Sequence, residues 1–222
     1  MKQLADGVWQ LGGFPPNAIN VYVIDDVLVD AASRHATRRI LRQVEGRRLA
    51  AHALTHAHPD HQGASHAVCE RLELPFWVGA RDADAAEDPR LIGDRQPSHP
   101  IARFYHRAFV GPGHPVDRRL AEGDEVAGFA VRDVPGHSAG HIAFWREADR
   151  VLILGDVLNN MDVLTAIPGL QAPKPYLTPD PARNLESARR LAALEPALVL
   201  FGHGPPLRDT RKFVDFVAAL PE

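Results

Sequence analysis

The chain has 222 residues, 45% of them hydrophobic, and a formal net charge of −3 at pH 7. That size and apolar content support a substantial core in one domain or two fused halves, and the interleaved charges, without a basic block or aromatic–basic stripe, argue against a nucleic-acid partner. Cys69 is the single cysteine, residues 1–7 lack the apolar core of a signal peptide, and no run approaches the roughly 20 apolar residues that span a bilayer, so a cytoplasmic protein without disulfide or membrane partner is expected.

Residues 8–11 (VWQL) read as a short strand, 12–17 as a loop, and 20–24 as a strand paired with 27–30 across the Asp25-Asp26 turn. Ser33 is placed to cap a helix with apolar face Ala36, Ile40, Leu41 and Val44, stopped by Gly46. The run 49–54 (LAAHAL) reads as a buried strand. Beyond Gly63, Ala64, Ala67, Val68, Leu72 and Leu74 mark a second amphipathic helix, and a strand comes next at 75–79. His66 and Cys69 lie on that helix, where spacing gives no reason to make them ligands. From 81 to 116 the periodicity weakens. Residues 82–88 can form a turn or two of helix, but Pro97, Pro100, Pro112 and Pro115 are expected to break the chain beyond them into an irregular insertion. Within it, Tyr105 and Phe109 are candidate pocket residues, while His99, His106 and His114 lack ligand spacing and read as non-ligands.

The second half repeats this logic. Strands are expected at 125–131, 142–145 and 150–154, with a turn at 147–149. Thr178 is read as capping a helix with Pro179 in its first position, buried through Leu185, Ala188, Leu191 and Ala192. A strand at 197–201 and a last helix carrying Phe213, Phe216, Val217 and Leu220 complete the chain. Strands and helices recurring in both halves, with no linker, predict an α+β architecture of two stacked sheets flanked by helices, one domain over 1–222. Residues 157–177 show neither helical nor alternating periodicity, and structureless loops of that length in compact domains are functional or disordered. Met161, Val163, Leu164, Ile167, Leu170 and Tyr176, with Asn159, Asn160 and Lys174, suit the wall of a small-molecule pocket.

The densest chemistry is the turn Thr55-His56-Ala57-His58-Pro59-Asp60-His61-Gln62-Gly63 between the buried strand and the second helix. Imidazole nitrogen and carboxylate oxygen are ligands that zinc, manganese and iron accept. His56 and His58, two apart in extended chain, project to one side and can share a metal. Asp60 and His61 come after Pro59 has turned the chain, and can face a second one.

THAHPDHQG resembles the signature of the metallo-β-lactamase superfamily, hydrolases of four-layer αββα sandwich fold. The resemblance implies three further ligands on strand-end loops in the order His, Asp, His, and the chain offers His137 in VPGHSAGH, Asp156 in LILGD and His203 in LVLFGHG. By the same resemblance His56, His58 and His137 hold one metal, Asp60, His61 and His203 a second, and Asp156 bridges them. Two divalent cations are expected, zinc first, with iron or manganese as alternatives. Asp30 resembles the family's partner for metal-bound histidines, and His141 is read as orienting a ligand or facing substrate. The activity implied is hydrolysis of a small ester, thioester or lactone by a hydroxide shared between the metals, with Asp60 in the catalytic group. Asp156 where some members carry cysteine argues against the cysteine-ligand zinc β-lactamases. Only nineteen residues come after His203, so the glyoxalase II C-terminal domain is not expected. Lactonases place a tyrosine shortly after the bridging aspartate. Here that place holds Val157-Leu158-Asn159-Asn160, and Tyr176 or Tyr105 is the candidate substitute. The alternative from another class is a mononuclear-iron persulfide dioxygenase, and a phosphodiesterase or nuclease ranks lower.

Overall fold

In the central strands both faces are buried, and that alternation builds the layers. The computed structural model describes residues 1–221. Strands β1 (Lys2–Ala5), β2 (Val8–Gln10), β3 (Tyr22–Ile24) and β4 (Val27–Val29) form an antiparallel meander. A 3-10 turn (Arg34–Ala36) and α1 (Thr37–Val44) then cross to β5 (Ala51–Leu54), parallel to β4. The one-turn helix α2 (Pro59–Gln62) and α3 (Ser65–Leu72) lead to β6 (Phe76–Gly79). Next, α4 (Ala83–Glu87), α5 (Arg90–Arg95) and α6 (Pro100–Phe109) lead to β7 (Arg118–Leu120), so the first sheet runs in chain order from β1 to β7.

The second sheet opens with β8 (Glu125–Val126), β9 (Phe129–Asp133), β10 (Ile142–Arg146) and β11 (Val151–Ile153). The chain leaves it for the small hairpin β12 (Asn159–Met161) and β13 (Pro168–Gln171), a 3-10 turn (Pro175–Leu177) and α7 (Pro181–Ala192). It returns as β14 (Leu198–Leu200), parallel to β11, and ends in α8 (Arg211–Ala218), giving the sheet order β14-β11-β10-β9-β8.

Side chains alternate across a strand, so each strand serves two cores at once. Tyr22, Ile24, Val27, Val29, Ala51 and Ala53 meet Phe129, Val131, Ile142, Phe144, Ile153 and Leu200 between the sheets. Val23 and Leu28, on the opposite face, pack against Ile40, Val44 and Val68 of α1 and α3. Trp145, Leu152 and Val199 likewise pack against Leu191 of α7 and Phe213 and Val217 of α8. The result is the αββα sandwich. Among the described residues no helix is long and apolar enough to cross a membrane.

Four local expectations are corrected. Residues 100–109 are a regular helix: Pro100 sits in its first turn, where a missing N–H costs nothing, and the His99 side chain accepts from Ile101 N. The prolines there delimit elements rather than break them. Helix α7 starts at Pro181 with Asp180 accepting from Arg183 N, two residues later than Thr178 and Pro179 suggested. Residues 125–131 are a tight hairpin, because Ala127 and Gly128 both take positive φ, the signature of the turn whose twist matches its strands. Residues 157–177 hold β12, β13 and a 3-10 turn where no regular structure was expected. The edge strands β1 and β7 have no counterpart among the elements expected from the sequence.

His52, on β5, is fully buried between Leu28 O, 3.1 Å from Nδ1, and Ser65 Oγ, 2.8 Å from Nε2. Burial lowers its pKa from 6.5 to about 4. Between those values the unfolded chain binds a proton that the folded chain refuses. Stability contributed by neutral His52 is therefore intact above pH 6.5 and is lost as pH falls towards about 4, by on the order of 3 kcal/mol. His52→Leu should flatten that part of the pH dependence of the urea midpoint relative to wild type, and parallel curves would remove His52 from this account.

Candidate metal centre

Four strand-end loops meet at one place. After β5 the chain bends at Thr55, His58 N bonds back to His56 O at 3.0 Å, and His58, with φ −103° and ψ 155°, precedes Pro59 in the first turn of α2. His61 N and Gln62 N bond back to His58 O at 3.0 and 2.9 Å. This turn separates Asp60 and His61 from His56 and His58, as the HxHxDH spacing predicts. The loops after β9, β11 and β14 bring His137, Asp156 and His203, and all seven side chains are buried. Gly202 has to lack a side chain, since a Cβ there would run into Asp156 Oδ1 and His61 Cε1.

The side chains form overlapping sets of possible ligand atoms: His56, His58 and His137; Asp60, His61 and His203; and His56, His61 and Asp156, each within 4.8 Å. Asp156 connects them. Its Oδ2 lies 3.5 Å from His137 Nε2 and 3.0 Å from His203 Nε2, and its Oδ1 lies 3.5 Å from His61 Nε2. His203 Nε2 is also 3.3 Å from Asp60 Oδ2.

Outer partners decide which nitrogen faces inward. Asp30 accepts from Thr55 N at 2.8 Å, Thr55 Oγ1 at 2.9 Å and His61 Nδ1 at 2.9 Å. With its proton on Asp30, the Thr55 hydroxyl accepts from His56 Nδ1 at 3.0 Å. His137 Nδ1 pairs with Thr178 Oγ1 at 3.1 Å, and His203 Nδ1 donates to Ala18 O. All four rings therefore turn Nε2 towards the centre, the arrangement by which outer-shell bonds orient ligand histidines. The Nε2 atoms of His56, His61 and His137 and Oδ1 of Asp156 are buried without a hydrogen-bond partner. Burial, reinforced by neighbouring histidines, drives the pKa values of His56, His58 and His141 well below the usual imidazole range. Burial would raise Asp156, but His203 and His61 hold it well below the carboxylate range, and His203 with His61 likewise offsets burial to hold Asp60 at about 2. Burial would lower His61 and His203 too, but Asp156, with Asp30 and Asp60, holds both above the imidazole range, so a divalent cation would take neutral His56 and His58 as they stand and displace a proton from His61 and His203.

Several contributors had no motif to announce them. Asp82 accepts from Ala57 N (3.0 Å), Gly140 N (2.7 Å) and Ser138 Oγ (2.5 Å), tying the His56–His58 loop to the His137 loop. Asn20 donates to Phe201 O and Gly204 O, and Tyr22 OH to Phe201 O, which holds the His203 loop. Gln96 places Nε2 2.5 Å from His58 Nε2, while its own Oε1 is buried without a partner. With the amide turned over, the Gln96 oxygen accepts the His58 Nε2 proton, which leaves Nδ1 of His58 as its ligand atom.

A cleft opens onto the centre, walled by Ile92, Ala102 and Tyr105 of the insertion and by Asn159, Val163, Pro173, Lys174 and Leu177. The insertion and the 157–177 segment both contribute to it, and Tyr105 OH donates to Val163 O across their junction. Of the wall expected from 157–177, Asn159, Val163 and Lys174 line the cleft, whereas Met161, Leu164, Ile167, Leu170 and Asn160 do not, and three further residues fall elsewhere than expected. Tyr176 is absent from the cleft lining and stacks on His99, with ring centroids 4.5 Å apart. Phe109 packs edge-on against Tyr105 behind the lining. His141 sits beside His56 with Nε2 accepting from Asp156 N at 3.3 Å, so it supports the bridging loop rather than facing the cleft.

A family model described as the metallo-beta-lactamase superfamily matches residues 14–203. The chain belongs to the metallo-β-lactamase superfamily. It is 33% identical over 208 residues to a probable metallo-hydrolase, YflN, of Bacillus subtilis, covering 82% of this chain and 76% of that one. Its similarity to the hydroxyacylglutathione hydrolase of Methylococcus capsulatus is 37% identity over 108 residues, 47% of this chain and 32% of the relative. The solved structure of TTHA1623 in a di-iron-bound form superposes with a TM-score of 0.62 at 28% identity, over 94% of this chain and 91% of that one. Within this superfamily fold, Asp30 lies behind His61 and Thr55, on the side away from the centre, and removing an outer partner of this kind costs about 10–100-fold in metal affinity. Asp30→Ala should weaken zinc retention by that factor in chelator competition, and an unchanged affinity would show that His61 needs no orienting partner.

Proposed function

We propose that this protein is a hydrolase that uses two divalent cations to cleave a small ester, thioester or lactone. The observation that carries the reading is the position of Asp156, whose two oxygens reach histidines of both triads. His56, His58 and His137 would hold one cation, Asp60, His61 and His203 the other, with Asp156 shared. The orphaned Nε2 and Oδ1 atoms fit that role, because buried polar atoms without partners are costly unless something else coordinates them. Nitrogen and oxygen donors suit zinc, iron or manganese, and a superfamily relative with two irons supports a pair. When bound, such a pair supplies Lewis acidity and lowers the pKa of water towards about 7.

The chain's own residues do the rest. Asp60 and Asp156 carry negative charge into the centre and offset part of the cations' charge. Ile92, Ala102, Val163 and Leu177 give the cleft an apolar wall that keeps water from the acyl part of a substrate. Burial and the nearby charges of Asp60 and Asp156 raise the pKa of Tyr105, so its hydroxyl stays protonated and holds the cleft wall together through its bond to Val163 O. The hydroxyacylglutathione hydrolase relative supports a thioester within the substrate class.

Metal analysis of loaded protein should give two cations in this centre, and Asp156→Ala should lose one of them with most turnover while keeping its fold by circular dichroism. Zinc-loaded enzyme should hydrolyse a carboxylic ester or thioester under argon. A centre that holds a single iron and turns over only with oxygen would instead identify the dioxygenase chemistry. Chain-length preference belongs to the cleft wall: Val163→Ala and Leu177→Ala should each shift relative kcat/KM across an acyl series by about 10-fold or more, the scale of one or two methylenes in an apolar pocket. Leu164→Ala, half-exposed and outside the wall, should leave the ratios as they are.

A further inference from the structure

Away from the cleft, His66, Glu70 and His114 converge on the outer face of α3. His66 and Glu70 are four residues apart in that helix, so they share one face. His114 arrives from the segment after α6, held by its own backbone N–H to Ala86 O at 3.2 Å and by an edge-on contact with the Phe76 ring. The two Nδ1 atoms lie 3.2 Å apart, Glu70 Oε1 is 3.9 Å from His114 Nδ1, and each of the three residues offers a ligand atom within 4.8 Å of the others'.

These distances match a known coordination geometry. Two nitrogens on one tetrahedral zinc, with bonds of about 2.0–2.1 Å, are about 3.3–3.4 Å apart. The Glu70 side chain is 61% exposed, so closing the remaining gap needs only a rotation in solvent. We propose that His66, Glu70 and His114 form a second, separate metal site that takes one zinc-class divalent cation, with water completing the coordination. Two imidazoles and one carboxylate are a borderline donor set, which favours zinc, cobalt or nickel over magnesium or calcium. A direct imidazole–imidazole hydrogen bond also satisfies the two nitrogens, but it leaves Glu70 outside. A cation uses all three residues. Its position suggests its effect: α3 comes directly after the Asp60–His61 turn, and His114 ends the insertion whose α5 and α6 wall the cleft. The ion would clip that wall to the helix beneath it.

Equilibrium dialysis of the full chain against buffered zinc reads this directly. Wild type should bind one equivalent more than His66→Gln or His114→Gln at saturation, and cobalt should give a d–d absorption component that both variants lack. Glu70→Ala, on an exposed position, should weaken that equivalent by about 10-fold or more without risk to folding. The same one-equivalent difference should persist when all are compared in an Asp156→Ala background, so the result does not depend on how many ions the deep centre holds. Equal zinc counts for wild type and the histidine variants up to about 100 µM free zinc would overturn the site.

Discussion

Asp156 is a buried carboxylate with three imidazole nitrogens within 3.5 Å, and much of the structure serves to keep it there. A lone ionised carboxylate in a protein interior is costly, and the cost is recovered only with several well-placed partners. Those partners come from loops after β5, β9 and β14, far apart in sequence. The loops have to be held where the carboxylate needs them, by packing and by bonds outside the centre.

Two sets of bonds do this. One set is local to the histidine rings: Thr55, Asp30, Thr178 and the Ala18 carbonyl each take an Nδ1 proton, which fixes the tautomer and turns the other nitrogen inward. The other set joins loops to one another. Asp82 binds the His56 and His137 loops together, and Asn20 and Tyr22 bind the first sheet to the backbone around His203. Asp82 makes no salt bridge among the described residues, although the charge of Arg95 acts on it from a distance. Burial pushes its pKa up, and the donors from Ser138, Ala57 and Gly140 work against that rise. The two halves of the sandwich are therefore stitched at the site itself as well as through the apolar layer between the sheets.

The insertion shows how specificity and scaffold are separated. The αββα core supplies the ligand loops, whereas the cleft wall comes from α5, α6 and the segment from Asn159 to Leu177. These pieces rest on few strand hydrogen bonds and meet through single contacts, such as Tyr105 to Val163 and Gln96 to His58. Apart from Gln96, which is bonded to His58, the wall can vary without disturbing the centre, the usual division between a rigid scaffold and the loops that carry selectivity.

The features legible in the sequence alone were local ones. HxHxDH on a strand-to-helix turn, and a His or Asp after each later apolar run, named the residues of the centre because strand ends, glycines and ligand chemistry are all written in adjacent positions. The inner strands were legible for the same reason, since apolar runs such as 150–154 and 197–201 are buried on both faces. The tertiary structure alone decided matters that depend on distant partners. A strand at a sheet edge such as β7, Arg118–Leu120, carries no apolar pattern and exists through its pairing with β6. Pro100 reads as a breaker until His99 caps the helix it begins, and Thr178 reads as a cap until His137 claims its hydroxyl. Asp82, Asn20 and Gln96 looked like ordinary polar residues, and His66 and His114, 48 positions apart, gave no ligand spacing at all. Spacing along the chain reports only on neighbours, whereas a bonded network or a metal site is defined by distance in space, which folding sets.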